Sequence, residues 1–329
     1  MADKPLEPRT LQEAITYFAN PDNCLAYMIP LTFPDGIVTC PTCGRTDPKF
    51  LVNQRRWQCK SVHPKRQFSA KVGTIFEDSP ILLEKWLPAV WMLVNAKNGI
   101  SSWELHRALG VTQKTAWFML HRIRLAMQEK SSFKLGGGGG PVEVDETFIG
   151  GKARNMHKSK RLRLGGSRGL QGGNAKAVVM GMLQRGGKVK AQVIPERKQK
   201  LMHGIIKDSI EKGAIVMTDE HTVYMGLSDE YVHEVINHAE AYVKNYISTN
   251  GIENFWSLLK RGIGGTYVSV EPFHLFRYLD EQAFRYNNRA TKDNPLNDSD
   301  RFALALSQIV GKRVTYAELT GKTGSTANF

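Results

Sequence analysis

The segment Val142-Glu-Val-Asp-Glu-Thr-Phe-Ile149, followed by two glycines, decides how the second half of this chain folds. Apolar and polar residues alternate along it, as they do in a β-strand that buries one face. Side chains alternate between the two faces of a strand, so Asp145 and Glu146 are expected to point to opposite sides. The sequence therefore predicts a strand that presents the Asp145 carboxylate on one face of a sheet.

Two further acids stand at the ends of predicted elements. Asp219 closes the apolar run 214–218, and Glu253 lies on a helical run 34 positions later. Lys260 follows Glu253 by two helical turns and shares its face. Converging carboxylates repel one another, and two Mg²⁺ or Mn²⁺ ions about 3.5–4 Å apart would relieve that repulsion and act on a phosphodiester. The alternative is three ordinary solvated carboxylates.

The order of elements after residue 141 explains how three distant acids would meet. Three antiparallel strands are predicted first, then a helix, two more strands and a second helix; their ranges are 142–149, 176–184, 188–194, 199–212, 214–218, 231–237 and 250–261. This is the order of an RNase H-like fold with a mixed sheet. In that order the first strand, the end of the fourth strand and the later helix bring their acids together.

Composition points to a polyanionic partner. The chain has 329 residues, a net charge of +14, 41% hydrophobic residues and a mean hydropathy of -0.34. This length predicts two or three domains, and the charge favours nucleic acid. The N-terminus has no apolar signal region and no apolar run is long enough to span a bilayer. We therefore expect a cytoplasmic protein with no membrane partner.

A cluster of metal-ligand residues lies near the N-terminus. Cys40 and Cys43 form a CxxC turn, and Cys59 and His63 supply a second pair. Two such pairs separated by a short hairpin fit one tetrahedral structural Zn²⁺, which would stabilise a ribbon with little core. Three buried thiols beside a surface histidine are the alternative. Basic residues around the ribbon are candidate DNA contacts, namely Arg55, Arg56, Lys65 and Arg66.

Helical periodicity begins after the ribbon, at Ser79. Ser101 and Glu104 form a capping-box pattern that opens a short helix ending at Gly110, and a third helix runs from 111 towards 128. A helix, a short turn and a helix are typical of a helix-turn-helix, in which the last helix enters the major groove. Its candidate base or phosphate contacts are Gln113, Lys114 and Arg122, with His121 as an alternative to Arg122. A purely structural role is the other interpretation.

The glycine run 136–140, followed by Pro141, predicts a flexible tether. Beyond it, the segment 152–176 carries many cations and no acid, and we expect Lys158, Arg161 and Arg163 to contact DNA. The predicted organisation has five parts: an N-terminal helix and zinc ribbon (1–78), a helix-turn-helix segment (79–135), a linker (136–141), a catalytic domain (142–295) and a C-terminal tail (296–329).

Several motifs together resemble a known family. VEVDETFIGGK, the Asp219 strand end and NGIENFWSLLKRGIGGTY resemble bacterial insertion-sequence transposases of the ISXO-like DDE group, and CPTCG…RRWQCK…RQFSAKVGTIFEDS resembles the zinc ribbon that precedes their catalytic domain. The resemblance implies a nucleoid-associated enzyme that binds inverted repeats as a multimer. It also implies Mg²⁺-dependent cutting of transposon ends and joining of the freed 3′-OH to target double-stranded DNA.

By this resemblance Asp145, Asp219 and Glu253 are the catalytic acids, and Lys260 is the basic residue of the same helix. The ribbon departs from the family pattern, in which a second CxxC usually stands where this chain has Cys59 and His63. Some relatives use asparagine at the third acidic position, and here Asn250 and Asn254 flank Glu253. Two other functions stay open: a nuclease or resolvase that cleaves without joining, and a zinc-ribbon regulator with an inactive catalytic domain.

Overall fold

The computed structural model describes residues 8–129, 133–151, 157–159, 176–236, 249–292 and 294–322. These residues form two compact units. The N-terminal unit contains the described residues up to Glu129 together with those from Asn288 onwards. The sheet unit contains the described residues between them. The described C-terminal residues therefore belong to the same compact unit as the N-terminal ones.

The described helices, in chain order, are α1 (Leu11–Phe18), α2 (Pro21–Thr32), α3 (Leu83–Asn95), α4 (Ser102–Leu109), α5 (Gln113–Met127), α6 (Gln199–Ser209), α7 (Asn250–Gly262), α8 (Leu275–Asn287), α9 (Asp298–Ser307) and α10 (Tyr316–Leu319). The strands are β1 (Lys49–Leu51), β2 (Arg56–Gln58), β3 (Gln67–Phe68), β4 (Val142–Ile149), β5 (Ala177–Gln184), β6 (Val189–Ile194), β7 (Ile215–Asp219) and β8 (Val232–Ile236). Within the described part of the chain, no helix combines the length and apolarity that crossing a membrane requires.

Two helices of the N-terminal unit, α4 and α5, begin and end close to where the sequence predicts, whereas α2 occupies Pro21–Thr32, where the prolines predicted irregular chain. Ser101 and Glu104 form the expected capping box at α4, and Gly110 ends that helix with φ of 59°. This left-handed conformation suits glycine because a Cβ would be strained there. Thr112 then caps α5 by accepting a hydrogen bond from the backbone N–H of Thr115. The chain therefore forms two helices separated by a tight turn, as predicted.

The ribbon is a three-stranded antiparallel sheet in the order β1-β2-β3. Trp57 lies at its centre, opposite Phe50 on one side and Phe68 on the other. The rings of Trp57 and Phe68 stack with centroids 5.9 Å apart, and both side chains are buried. This small aromatic cluster forms the core of the ribbon.

The C-terminal part differs from the predicted tail at 296–329. Asn297 forms a capping box with Asp300 and starts α9, and Phe302 on that helix is buried against Phe18 and Trp91. Further along, the backbone N–H of Gly311 donates a 2.8 Å hydrogen bond to the Gly73 carbonyl. The described residues from 294 to 322 are thus part of the N-terminal unit, which the sequence did not predict.

The sheet unit contains a five-stranded mixed sheet in the order β6-β5-β4-β7-β8. Strand β5 is antiparallel to both β4 and β6, whereas β4, β7 and β8 run parallel to one another. One face packs on α6 through Val144, Met180 and Met202, and the other packs on α7 and α8 through Val179, Leu183 and Phe255. The five strands and two helices that were predicted between residues 142 and 261 are therefore all present.

The glycine run is not a flexible tether in this structure. The backbone N–H of Gly136 donates a 3.0 Å hydrogen bond to Oε1 of Gln184, and Nε2 of Gln184 donates to the Gly137 carbonyl at 3.2 Å. Gly136 has φ of 90°, and a Cβ there would lie 2.5 Å from the Cβ of Ala214. Gly136 is needed because the chain passes close to Ala214 there, and the boundary between the units lies before the glycine run.

Candidate active site and metal site

Asp145 and Asp219 lie on adjacent parallel strands. The register of β4 and β7 places Glu143 opposite Met217. Two residues further along each strand come Asp145 and Asp219, and a step of two returns to the same face of a sheet. Both carboxylates therefore project from the face that packs on α7.

The surroundings of Asp145 disfavour its ionised form. Burial is the main cause that raises the pKa of Asp145, to about 6, and the negative charges of Glu146 and Asp219 add to it. Hydrogen bonds from the Glu146 backbone and from Trp256 act in the opposite direction without cancelling the rise in pKa. A carboxyl with these neighbours gains from a cation that offsets the burial and the repulsion.

Trp256 connects α7 to this carboxyl. Its Nε1 donates a 2.9 Å hydrogen bond to Oδ2 of Asp145. Gly181 lies directly opposite Asp145 on β5, and a Cβ at Gly181 would come within 2.5 Å of the Trp256 ring. The glycine therefore leaves the space in which the indole lies against the sheet. Neither residue was predicted from the sequence, although a glycine inside an apolar strand is a signal of close approach.

Glu253 lies in the first turn of α7, on the same side of the sheet. Its side chain is exposed, and Oε1 accepts a 3.0 Å hydrogen bond from the Thr249 hydroxyl. Lys260 is also exposed on this helix. Among the described residues, the three acids do not form a group whose oxygen atoms all lie within 4.8 Å of one another. The structure brings Asp145 and Asp219 together and leaves the Glu253 carboxylate turned towards Thr249.

The polar residues next to the three acids in the sequence have different surroundings. Asn250 and Asn254 are exposed on α7, and Thr249 rather than Asn250 occupies the N-cap position. Glu146 has its side chain almost fully buried, 2% exposed, and pairs with Arg197 at 3.1 Å. Phe148, two residues further along and therefore on the same face of β4, lies opposite Val178, which packs on the α6 side of the sheet. Glu146 thus faces away from Asp145.

The four predicted ligands of the ribbon meet. Their ligand atoms all lie within 4.8 Å of one another, with Cys40 Sγ 3.5 Å from His63 Nε2 and Cys43 Sγ 3.5 Å from Cys59 Sγ. The turn after Cys40 is closed by a 2.9 Å hydrogen bond from the Gly44 backbone N–H to the Cys40 carbonyl. Three sulfurs and one imidazole nitrogen at these distances form a donor set suited to a single tetrahedral ion.

The protonation of these ligands favours a metal. Burial opposes ionisation of the Cys40 thiol, but hydrogen bonds from the backbone of Thr42 and Cys43 and from neighbouring thiols outweigh it and lower its pKa to about 6. His63 Nδ1 lies 2.7 Å from the Pro64 carbonyl, to which it can donate. That tautomer leaves Nε2, the atom beside Cys40, free to bind a cation.

The predicted DNA contacts of the ribbon have different surroundings. Arg55 pairs with Asp22 at 2.7 Å, and Arg66 donates through Nε and Nη2 to the Cys59 carbonyl at 3.2 and 3.1 Å. Arg56 and Lys65 are exposed. Arg66 thus supports the second ligand pair directly, whereas Arg56 and Lys65 present their charges to solvent.

The prediction for Arg122 requires correction. Arg122 is 3% exposed, and its guanidinium donates to the carbonyls of Glu77 and Val314. The reason is that the C-terminal segment covers this side of α5, and Leu125 packs against Val314 and Leu319. His121 is buried too. An arginine at this depth holds the C-terminal segment on α5 and does not reach a DNA groove.

The other predicted contacts lie at the start of α5 and in the basic segment. Gln113 donates a 2.8 Å hydrogen bond to the Ser102 hydroxyl, which ties α5 to α4. Lys114 is exposed, with Nζ 4.6 Å from the centre of the Tyr316 ring. Lys158 is exposed as well. Arg161 and Arg163 lie outside the described residues.

Comparison with known proteins finds a similar domain. Residues 136–287 match the model of the ISXO2-like transposase domain. This part of the chain is similar to that domain. An uncharacterized protein in transposable element ISH50 of Halobacterium salinarum is 26% identical to it over 252 residues, which cover 74% of this chain and 83% of that protein. The matched domain begins at Gly136, the first residue of the glycine run, and includes all three acids and Lys260.

Proposed function

We propose that this protein is a DDE transposase that binds the inverted repeats of an insertion sequence, cleaves there and joins the ends to target DNA. The observation that supports this most is the pairing of Asp145 and Asp219 on one face of β4 and β7, beneath the helix that carries Glu253, inside the segment that matches the ISXO2-like transposase domain. The strand order and directions are consistent with an RNase H-like fold, which is part of the proposal.

Asp145, Asp219 and Glu253 would hold two divalent ions, Mg²⁺ or Mn²⁺. The fit rests on the all-oxygen donor set, which such ions prefer, and on the raised pKa of Asp145, which burial and Asp219 together cause. When bound, the ions would activate the attacking oxygen and stabilise the leaving oxygen of the phosphodiester. Trp256 holds the Asp145 carboxylate in place, and exposed Lys260 would bind a phosphate of the DNA strand.

The N-terminal unit would select the DNA. One Zn²⁺ on Cys40, Cys43, Cys59 and His63 would fix the ribbon, from which Arg56 and Lys65 project. We propose that α4 and α5 act as a helix-turn-helix that contacts DNA through the start of α5, at half-buried Gln113 and exposed Lys114. The N-terminal residues of a recognition helix are those that reach base edges in the known complexes. Two or more copies on paired ends would complete the assembly.

A strand-transfer assay with matched transposon ends and a separate target duplex tests the proposal. We expect Mg²⁺-dependent nicking and joining by the wild type, and loss of both in Asp145→Asn. Glu146→Gln is the matched control, because it changes a buried acid that faces the other side of the same strand. Nicking without joining would indicate a nuclease or resolvase instead. The absence of any metal-dependent nicking would indicate a DNA-binding regulator.

A further inference from the structure

A buried carboxylate outside the three acids holds the start of α7. Glu143 is 1% exposed and precedes Asp145 by two residues, on the same face of β4. Its Oε2 accepts a 2.8 Å hydrogen bond from the backbone N–H of Ile252, the residue before Glu253. The first N–H groups of a helix have no partner within the helix and carry partial positive charge, so a carboxylate is a strong acceptor there.

This carboxylate is itself fixed by a cation. Arg185, in the turn between β5 and β6, places Nε 2.7 Å from Oε1 of Glu143. The two oxygens of Glu143 thus have separate partners, one on the hairpin and one on the helix. A buried acid with both oxygens engaged keeps one position, because moving it would leave a charge without partners in a site that excludes water.

The backbone of α7 is shaped for this contact. A Cβ at Gly251 would lie 2.8 Å from Oε2 of Glu143 and 3.1 Å from Leu183. Gly251 lies within α7 and has no positive φ, so its backbone conformation does not require glycine. The close approach of the helix to the Glu143 carboxylate explains the glycine instead.

Two ties therefore join α7 to β4, one on each side of Glu253. Glu143 binds at Ile252, and Asp145 binds the side chain of Trp256 at 2.9 Å. Because both ties lie on the same helix and the same strand, α7 is held against β4 at two points.

We propose that Glu143 is a positioning residue of the proposed metal site, acting with Arg185 and Gly251 through the first turn of α7. Glu143 does not bind the ions. It sets how far Glu253 stands from Asp145 and Asp219. This inference rests on the proposed function, because it gives Glu253 a role in holding the divalent ions.

Calorimetric titration of Mn²⁺ into the full-length protein, with the ribbon saturated with Zn²⁺, tests the inference without using activity. We expect Glu143→Ala and Gly251→Ala to bind Mn²⁺ about tenfold more weakly than the wild type, as loss of groups that orient metal ligands does elsewhere. Glu143→Gln keeps one oxygen acceptor for the Ile252 N–H but loses the charge that pairs with Arg185, so its affinity should lie between that of Glu143→Ala and that of the wild type. At saturating Mn²⁺ the cleavage rate of the variants should return towards the wild-type rate.

Glu146→Gln is the matched control, because Glu146 is equally buried and ion-paired but does not touch α7. Only the charge of the Glu146 side chain acts on Asp145, so the Mn²⁺ affinity of this variant should stay within about threefold of the wild type, and circular dichroism establishes that each variant is folded. Should Glu143→Ala not fold, Gly251→Ala carries the test, since every charged group remains. Wild-type affinity in folded Gly251→Ala would overturn the positioning role. Failure of the wild type to bind Mn²⁺ would overturn the proposed function itself.

Discussion

The indole of Trp256 donates its N–H to the Oδ2 atom of Asp145 across 2.9 Å, and it lies over Gly181 to do so. The bond joins the helix that carries Glu253 to the strand that carries the first acid. Trp256 is 3% exposed, so solvent does not compete for either partner. This contact therefore sets the orientation of the Asp145 carboxylate before any ion binds.

Replacing Trp256 by phenylalanine should weaken divalent-ion binding while leaving most of the packing intact. The variant keeps an aromatic ring beside Gly181 but removes the donor to Asp145. Loss of a hydrogen bond to a charged acceptor costs about 1.5–3 kcal/mol. We expect Mn²⁺ affinity to fall by roughly tenfold or more, measured by calorimetry. Trp103→Phe is the control, since that tryptophan is 59% exposed in the other unit; equal losses in the two variants would contradict the specific role of Trp256.

Gly181→Ala should destabilise the sheet unit. The added Cβ would lie 2.5 Å from the Trp256 ring and 2.9 Å from Ile252, and both side chains are buried. Overpacking of this kind typically costs about 1–3 kcal/mol. Gly204→Ala is the matched control, because a Cβ there meets nothing within 4 Å and helix α6 should gain roughly 0.4–1 kcal/mol. Urea unfolding followed by fluorescence measures both; a Gly181 variant as stable as the wild type would argue against close packing of the indole.

The strands and the ribbon were predictable because their signals are local. Alternation of apolar residues located β4, and the spacing of Cys40 and Cys43 identified half of the ligand set. The contact of Glu143 with Ile252 was not predictable, because the two residues are 109 positions apart in the chain. The burial of Arg122 was not predictable either, because it depends on Val314, which is 192 positions away in the chain. A basic residue on a short helix otherwise suggests a solvent-exposed face. The prediction of a flexible tether at the glycine run was wrong. Glycine is favoured both in flexible linkers and where the backbone packs closely, so composition alone does not separate the two.

The ribbon should bind one Zn²⁺ per chain. Cys40→Ser removes a ligand whose thiol has its pKa lowered to about 6, and zinc measured by atomic emission should fall to background. Cys24→Ser is the control: burial raises the pKa of Cys24 to about 12, and its Sγ contacts the Phe18 carbonyl at 3.1 Å, away from the ligand group. Its zinc content should remain at one. Zinc retained in Cys40→Ser would refute the site.

Stability of the metal-free protein should fall as pH rises from about 4 to 6. Burial raises the pKa of Asp145 from 3.8 to about 6, so the folded state binds more protons than the unfolded state in this window. Stability then decreases with pH, by at most about 3 kcal/mol. Asp145→Asn does not ionise and should lack this part of the slope. Unfolding curves in chelator at pH 4 and pH 7 measure it, and an identical slope in both proteins would exclude Asp145 as its source.

Removing the C-terminal segment should unfold the N-terminal unit rather than trim a tail. Phe302 on α9 is 1% exposed and contacts the rings of Phe18, Tyr27 and Trp91. Truncating a buried phenylalanine to alanine costs about 3–5 kcal/mol, because the surrounding side chains cannot close the cavity. We expect Phe302→Ala to lower the thermal midpoint of this unit strongly.

Leu304→Ala on the same helix is the control, since Leu304 is 37% exposed and should cost far less. A chain ending at residue 295 should behave like Phe302→Ala or worse, because it also loses the cover of α5 at Val314. Differential scanning calorimetry compares the four proteins. If the shortened chain melted with the wild type, α9 would be a surface helix and the packing of Phe302 would not support the unit. We expect the opposite, because Phe302 contacts rings from three separate helices.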